Sequence, residues 1–151
     1  VSDPHPDLIL KSFPHTRYYP EWRLITWHPH GVLNDTLADQ IVEFTEMEEL
    51  NQEVPFHRYT DLSQLTHIHL SAGYVFRMAQ RRQQACEPVK SAFWADKVVT
   101  LSFAHVYEAL MVGATIKVRV FGKRENAAEW LGVPAQILYE PEEPWQMPAD
   151  K

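Results

Sequence analysis

Four of the eight histidines in this 151-residue chain fall into two His-x-His pairs, His28-Pro-His30 and His67-Ile-His69. Alternate residues of a strand share a face, so each pair could aim two imidazoles one way. Imidazole and carboxylate suit zinc and related ions, and Asp61 lies near the second pair. One candidate chemistry is therefore a metal site on His28, His30, His67 and His69. Against it, Pro29 disturbs strand geometry in the first pair, and neither a His-Glu-x-x-His helix nor a Cys-x-x-Cys pair is present. The expectation is a chain with no metal and no cofactor.

Other catalytic constellations are missing from the sequence. There is no Gly-x-Gly-x-x-Gly, no P-loop and no Gly-x-Ser-x-Gly elbow, and five glycines leave little for a phosphate-cradling loop. Glu43, Glu46, Glu48, Glu49 and Glu53 are spaced as the solvated side of a helix rather than as paired catalytic carboxylates. Cys86, the single cysteine, cannot form an intrachain disulfide, which fits a reducing compartment. No neighbouring base in the sequence marks it as reactive. A non-enzymatic protein is expected.

The elements that position these residues come from an ordinary globular composition, 45% apolar and 23% charged, sized for one domain. A formal charge of -6 speaks against a nucleic-acid footprint, which needs clustered Lys and Arg. No apolar run approaches the roughly 20 residues that cross a bilayer, and Val1 to Pro6 lacks a signal-peptide pattern. The expected location is the cytoplasm, without integral membrane association.

Prolines gather at the ends, at Pro4, Pro6, Pro14 and Pro20 and again at Pro134, Pro141, Pro144 and Pro148. This predicts extended arms, 1–21 and 134–151, around a core of about 22–133. The arms carry Leu8, Phe13, Tyr18, Tyr19, Ile137, Leu138 and Trp145, apolar enough to pack on the core or on a second copy.

Within the core, strand and helix periods alternate. Strands are expected at Arg23–Trp27, Phe56–Leu62, Val89–Ala95 and Ile116–Phe121. Helices are expected from Asn34, with Leu37, Ile41, Phe44 and Glu48 inward; from Ser71 to about Ala85, with Val75, Met78, Ala79 and Arg82 inward; over about Val99–Ala114, with Phe103, Val106, Tyr107 and Leu110 inward; and over Lys123–Leu131, stopping at Gly132. Such alternation implies an α/β fold with a mostly parallel sheet and about four helices. A further strand in Ser12–Tyr19, hairpinned with Arg23–Trp27, would make one edge antiparallel. The histidine pairs then leave the same end of the sheet, the usual side for ligands.

Three segments resemble the STAS-like proteins, the fold of bacterial anti-sigma-factor antagonists. They are Tyr59-Thr-Asp-Leu-Ser through Ser71-Ala-Gly73; Val98 to Leu110, ending Tyr-Glu-Ala-Leu; and Val118-Arg-Val-Phe-Gly-Lys-Arg-Glu-Asn-Ala-Ala-Glu-Trp-Leu131. With the Gly-Val-Leu-Asn-Asp approach to the first helix, the resemblance covers about Trp22 to Val133 and is similar to an uncharacterised branch of that group. It implies a STAS-like single domain acting as a protein-interaction or regulatory module. In the antagonists, the serine opening the second helix is phosphorylated; Ser71 holds that place here. The chain reads His69-Leu70-Ser71-Ala72 rather than Asp-Ser-Ser-Gly, and Ser71 equally suits a plain helix cap. A partner face would then comprise Asp61, His67, His69 and Gly73.

The expected function is thus a non-enzymatic module that pairs with itself as a homodimer and with another protein. The alternative is a binder of a small apolar or lipid-like ligand, suggested by five tryptophans among many Tyr and Phe.

Overall fold

The computed structural model describes residues 13–85 and 88–140. Cys86, most of the N-terminal arm and the residues after Glu140 lie outside them.

Five strands form the main sheet in the order β1-β2-β4-β6-β7. They are β1 (Thr16–Tyr19), β2 (Leu24–Trp27), β4 (His57–Asp61), β6 (Lys90–Trp94) and β7 (Lys117–Phe121). β1 runs antiparallel to β2 as the hairpin reading expected, and the remaining neighbours are parallel. Two short strands absent from the sequence reading, β3 (Gly31–Asn34) and β5 (Leu65–His69), pair in parallel as a separate two-stranded sheet. The α-helices among the described residues are α1 (Asp35–Asn51), α2 (Ala72–Arg82), α3 (Val98–Leu110) and α4 (Arg124–Leu131).

Strand alternation sorts the side chains onto two faces. On one, Trp27 and Phe93 pack with α1, α2 and α3 through Ala38, Ala79, Ala104 and Tyr107. On the other, Leu24, Tyr59, Ala92 and Phe121 meet α4 and Leu138. Leu138 belongs to a 3-10 turn, Ala135–Leu138, and is fully buried. The described parts of both arms therefore pack on the core. At the other end, Phe13 stacks on Phe44 at 5.3 Å and Tyr18 meets Phe56 edge-on at 6.2 Å.

The helix termini follow from their residues. The Asn34 side chain accepts the Leu37 N–H at 2.9 Å and Ser71 Oγ accepts the Tyr74 N–H at 3.1 Å, each satisfying an end donor. Gly132 closes α4 in the left-handed region at φ 76°, where glycine carries no Cβ penalty. Two inward stripes differ from their sequence pattern. In α1 the buried positions are Ala38, Val42, Phe44 and Glu48, with Leu37 and Ile41 half-buried. In α3, Val106 faces outward and Thr100, Ala104 and Tyr107 point in. Both helices are apolar on more than one face, so periodicity alone does not select the buried one.

Candidate functional site

Two constellations stand out, one on each face of the main sheet. The first lies where β2 and β4 end. Asp61, the last residue of β4, is 1% exposed and heavily coordinated. Its Oδ1 accepts the Ser63 N–H at 2.9 Å and the Ser63 hydroxyl at 2.6 Å. Its Oδ2 accepts Arg124 Nε and Nη2 at 3.2 and 3.0 Å, and the Tyr59 hydroxyl at 3.3 Å.

Arg124, which opens α4, lies between the Trp94 ring at 4.1 Å and the Tyr139 ring at 4.3 Å. Burial opposes its charge, but the Asp61 carboxylate overrides that and raises its pKa. Beside the pair, His28 is buried and its Nε2–H donates to the Leu138 carbonyl at 2.9 Å. Burial holds this imidazole below its ordinary value despite Leu138 and Asp61. These bonds tie β4, β2, α4 and the C-terminal turn together.

The sequence-derived residues are thus dispersed. Asp61 is buried under Arg124. His67 and His69 lie on β5, their rings 5.6 Å apart and both exposed. Ser71 caps α2, and Gly73 sits exposed in that helix's first turn. His28 and His30 point to different surroundings. His30 instead meets His15 and Glu140, so the four histidines named in the sequence do not converge.

The second constellation is on the helical face. A cavity of about 100 Å³ opens between the sheet and α1 to α3, walled by Trp27, Leu33, Val42, Met78, Phe93 and Phe103. One water needs about 10–15 Å³ by a comparable measure, so the space exceeds a single solvent molecule. Arg58, Arg82, Thr60, Ser91 and Tyr107 also line it. Arg82 is tied to Glu49 at 2.7 Å and to Glu46 at 3.4 Å. Arg58 reaches Glu49 through Nη2, but its Nε and Nη1 are buried without a hydrogen-bond partner among the described residues. Burial, with the Arg82 charge adding, pushes the Arg58 pKa down to about 10. Such orphaned donors are costly and uncommon in native interiors. Nothing in the sequence singles out Arg58, one of several polar residues in a short strand.

A pH response follows from His57 at the start of β4. Its Nδ1 accepts the Lys90 N–H at 3.0 Å, so that nitrogen must be unprotonated. Burial lowers its pKa below the ordinary histidine value, and Arg23, Lys90 and Arg58 lower it further. The folded state thus binds this proton less readily than the unfolded one. Stability from this group is present above the unfolded value and is lost as pH falls through the depressed folded value. Urea midpoints should fall on acidification below about 6.5. The acid limb should be shallower for His57→Gln; an equal slope in both proteins would remove His57 as its source.

No helix among the described residues is long and apolar enough to cross a membrane. No protein-family model matches the chain, and no curated protein matches its sequence.

Proposed function

We propose that this domain binds a small apolar molecule bearing an anionic end, held between the sheet and α1 to α3. The observation that carries this reading is the pair of Arg58 nitrogens without a partner among the described residues, on a side chain that lines a mainly apolar cavity. A carboxylate or similar anion supplies the acceptors that these N–H groups lack, and the apolar walls take the rest of the ligand. A binding role needs no catalytic constellation, which agrees with the non-enzymatic reading of the sequence.

Hexanoate, octanoate and phenylacetate are suitable probes, each compared with the uncharged alcohol of the same skeleton. A ligand that binds only the folded chain raises its unfolding midpoint in proportion to ln(1 + [L]/Kd). The acids should raise the midpoint well above their alcohols. Equal shifts for both classes, or none, would exclude an anion-anchored site.

A second reading, self-association as an interaction module, is favoured by the outer face of α3. Val98, Val99 and Val106 there are 80%, 58% and 52% exposed. Ala109 adjoins them, leaving Ser102 and His105 as the polar members of that face. Water-exposed valines grouped on one helix suit a homodimer interface. Sedimentation should show a dimer that Val98→Glu/Val106→Glu converts to monomer; a wild-type monomer at all concentrations would refute it. STAS-like kinship rests on the motif-bearing segments of 22–133 and is compatible with this α/β arrangement. Under that kinship, a phosphate on Ser71 would sit at the cap of α2, where partner docking would be sensitive to its charge.

A further inference from the structure

We propose that His15, His30 and Glu140 form a binding site for a divalent transition-metal ion such as Zn²⁺. Their candidate ligand atoms all lie within 4.8 Å of one another. His15 Nδ1 is 3.2 Å from Glu140 Oε2, and His30 Nε2 is 3.0 Å from each carboxylate oxygen. Two imidazoles with one carboxylate form a donor set that suits zinc and its neighbours and leaves a position open to water. Tetrahedral bonds of about 2.0–2.1 Å separate their ligand atoms by about 3.3 Å. The two spacings to Glu140 already match this value, and the two imidazole nitrogens lie within 4.8 Å of each other.

Three segments far apart in sequence bring the donors together, and each is anchored by backbone or buried contacts. The His15 carbonyl accepts the His28 N–H at 3.0 Å, fixing the start of β1 against the end of β2. His15 has φ 63°, a left-handed conformation that few non-glycine residues adopt. Pro29, fully buried, holds the link that carries His30. The contact between His28 and the Leu138 carbonyl places Glu140 two residues further on. The backbone positions that carry the donors are thus held by a prepared scaffold.

Coordination requires one adjustment. The two rings are now stacked, with centroids 4.1 Å apart and planes 8° from parallel. A ring-nitrogen lone pair lies in its ring plane, so the rings must turn until both planes contain the ion. Each histidine side chain is 43% exposed, which leaves room to rotate. Each must also carry its proton on the ring nitrogen that does not bind the ion. The Glu140 carboxylate, which now accepts both N–H groups, becomes the third ligand. The Arg124 guanidinium, stacked on the ring of Tyr139 beside Glu140, is already paired with Asp61.

The test uses the full chain, stripped with chelator and titrated with Zn²⁺ alone by calorimetry and equilibrium dialysis. Wild type should take up one saturable equivalent with a micromolar or tighter Kd. His15→Ala, His30→Ala and Glu140→Gln should each weaken it at least tenfold, while circular dichroism stays unchanged and the metal-free unfolding midpoint moves only slightly, as expected for exposed contacts. The exposed pair on β5 is the control: His67→Ala/His69→Ala should bind as wild type does. Absence of saturable binding, survival of full affinity in His15→Ala and His30→Ala, or loss of it only in the β5 control would each overturn the site. Glu140→Gln keeps the shape of the side chain, so it separates loss of a ligand from loss of local structure.

Discussion

Replacing Asp61 by alanine is expected to destabilise the protein by about 3–5 kcal/mol, the cost typical of breaking a buried ion pair from one side. The carboxylate is 1% exposed and accepts from Ser63, Tyr59 and Arg124. Its removal leaves the Arg124 guanidinium between Trp94 and Tyr139 without its counter-charge, and leaves the Tyr59 hydroxyl inside the core. Against a total stability of about 5–15 kcal/mol, such a loss is large.

Asp61→Asn keeps an acceptor for the Ser63 N–H and should lose less. Asp61→Ala combined with Arg124→Met should recover part of the loss, because the stranded charge is then gone. Urea unfolding of the four proteins measures these differences. A loss below about 1 kcal/mol for Asp61→Ala would show that the network contributes little.

Arg58→Met is expected to act in opposite directions on folding and on binding. In the ligand-free protein it removes two buried donors that have no partner among the described residues. Glu49, its ion-pair partner, keeps Arg82 at 2.7 Å and is not stranded. Replacing buried charge by packed apolar volume is commonly neutral or stabilising, so stability should be unchanged or higher by about 1–2 kcal/mol. Binding of the acid probes should weaken at least tenfold, while any residual binding of the alcohols persists. A residue that lowers stability and anchors a ligand fits the trade-off seen where function is built into a fold. If Arg58→Met instead destabilises the protein and leaves acid binding intact, Arg58 is structural and the proposed ligand site fails.

Much of the architecture was legible in the amino-acid order because it rests on local periodicity. Alternation in Lys117 to Phe121 and the caps at Asn34, Ser71 and Gly132 are decided within a few residues. The antiparallel β1–β2 edge was legible too, since a short link between extended segments constrains them to pair. β3 and β5 were not. They are short and mostly exposed, with one buried side chain each, Leu33 and Leu65, which is too few for an alternating pattern to reveal.

The candidate sites depended still more on tertiary structure. His28-Pro-His30 and His67-Ile-His69 advertise proximity along the chain, yet the fold sends His28 into the core and His30 toward His15 and Glu140. The Asp61–Arg124 pair spans 63 positions and the His15–Glu140 pair 125. No local pattern encodes such meetings; strand order and the docking of Leu138 create them. Nor does the sequence distinguish an arginine facing water from Arg58, whose donors are unpartnered only because three helices close over that face of the sheet. Composition and periodicity determined by themselves that this is an α/β chain with a mostly parallel sheet. Which of its polar residues are buried, paired or left poised for a ligand was decided by long-range packing, because desolvation and hydrogen-bond geometry exist only once distant segments meet.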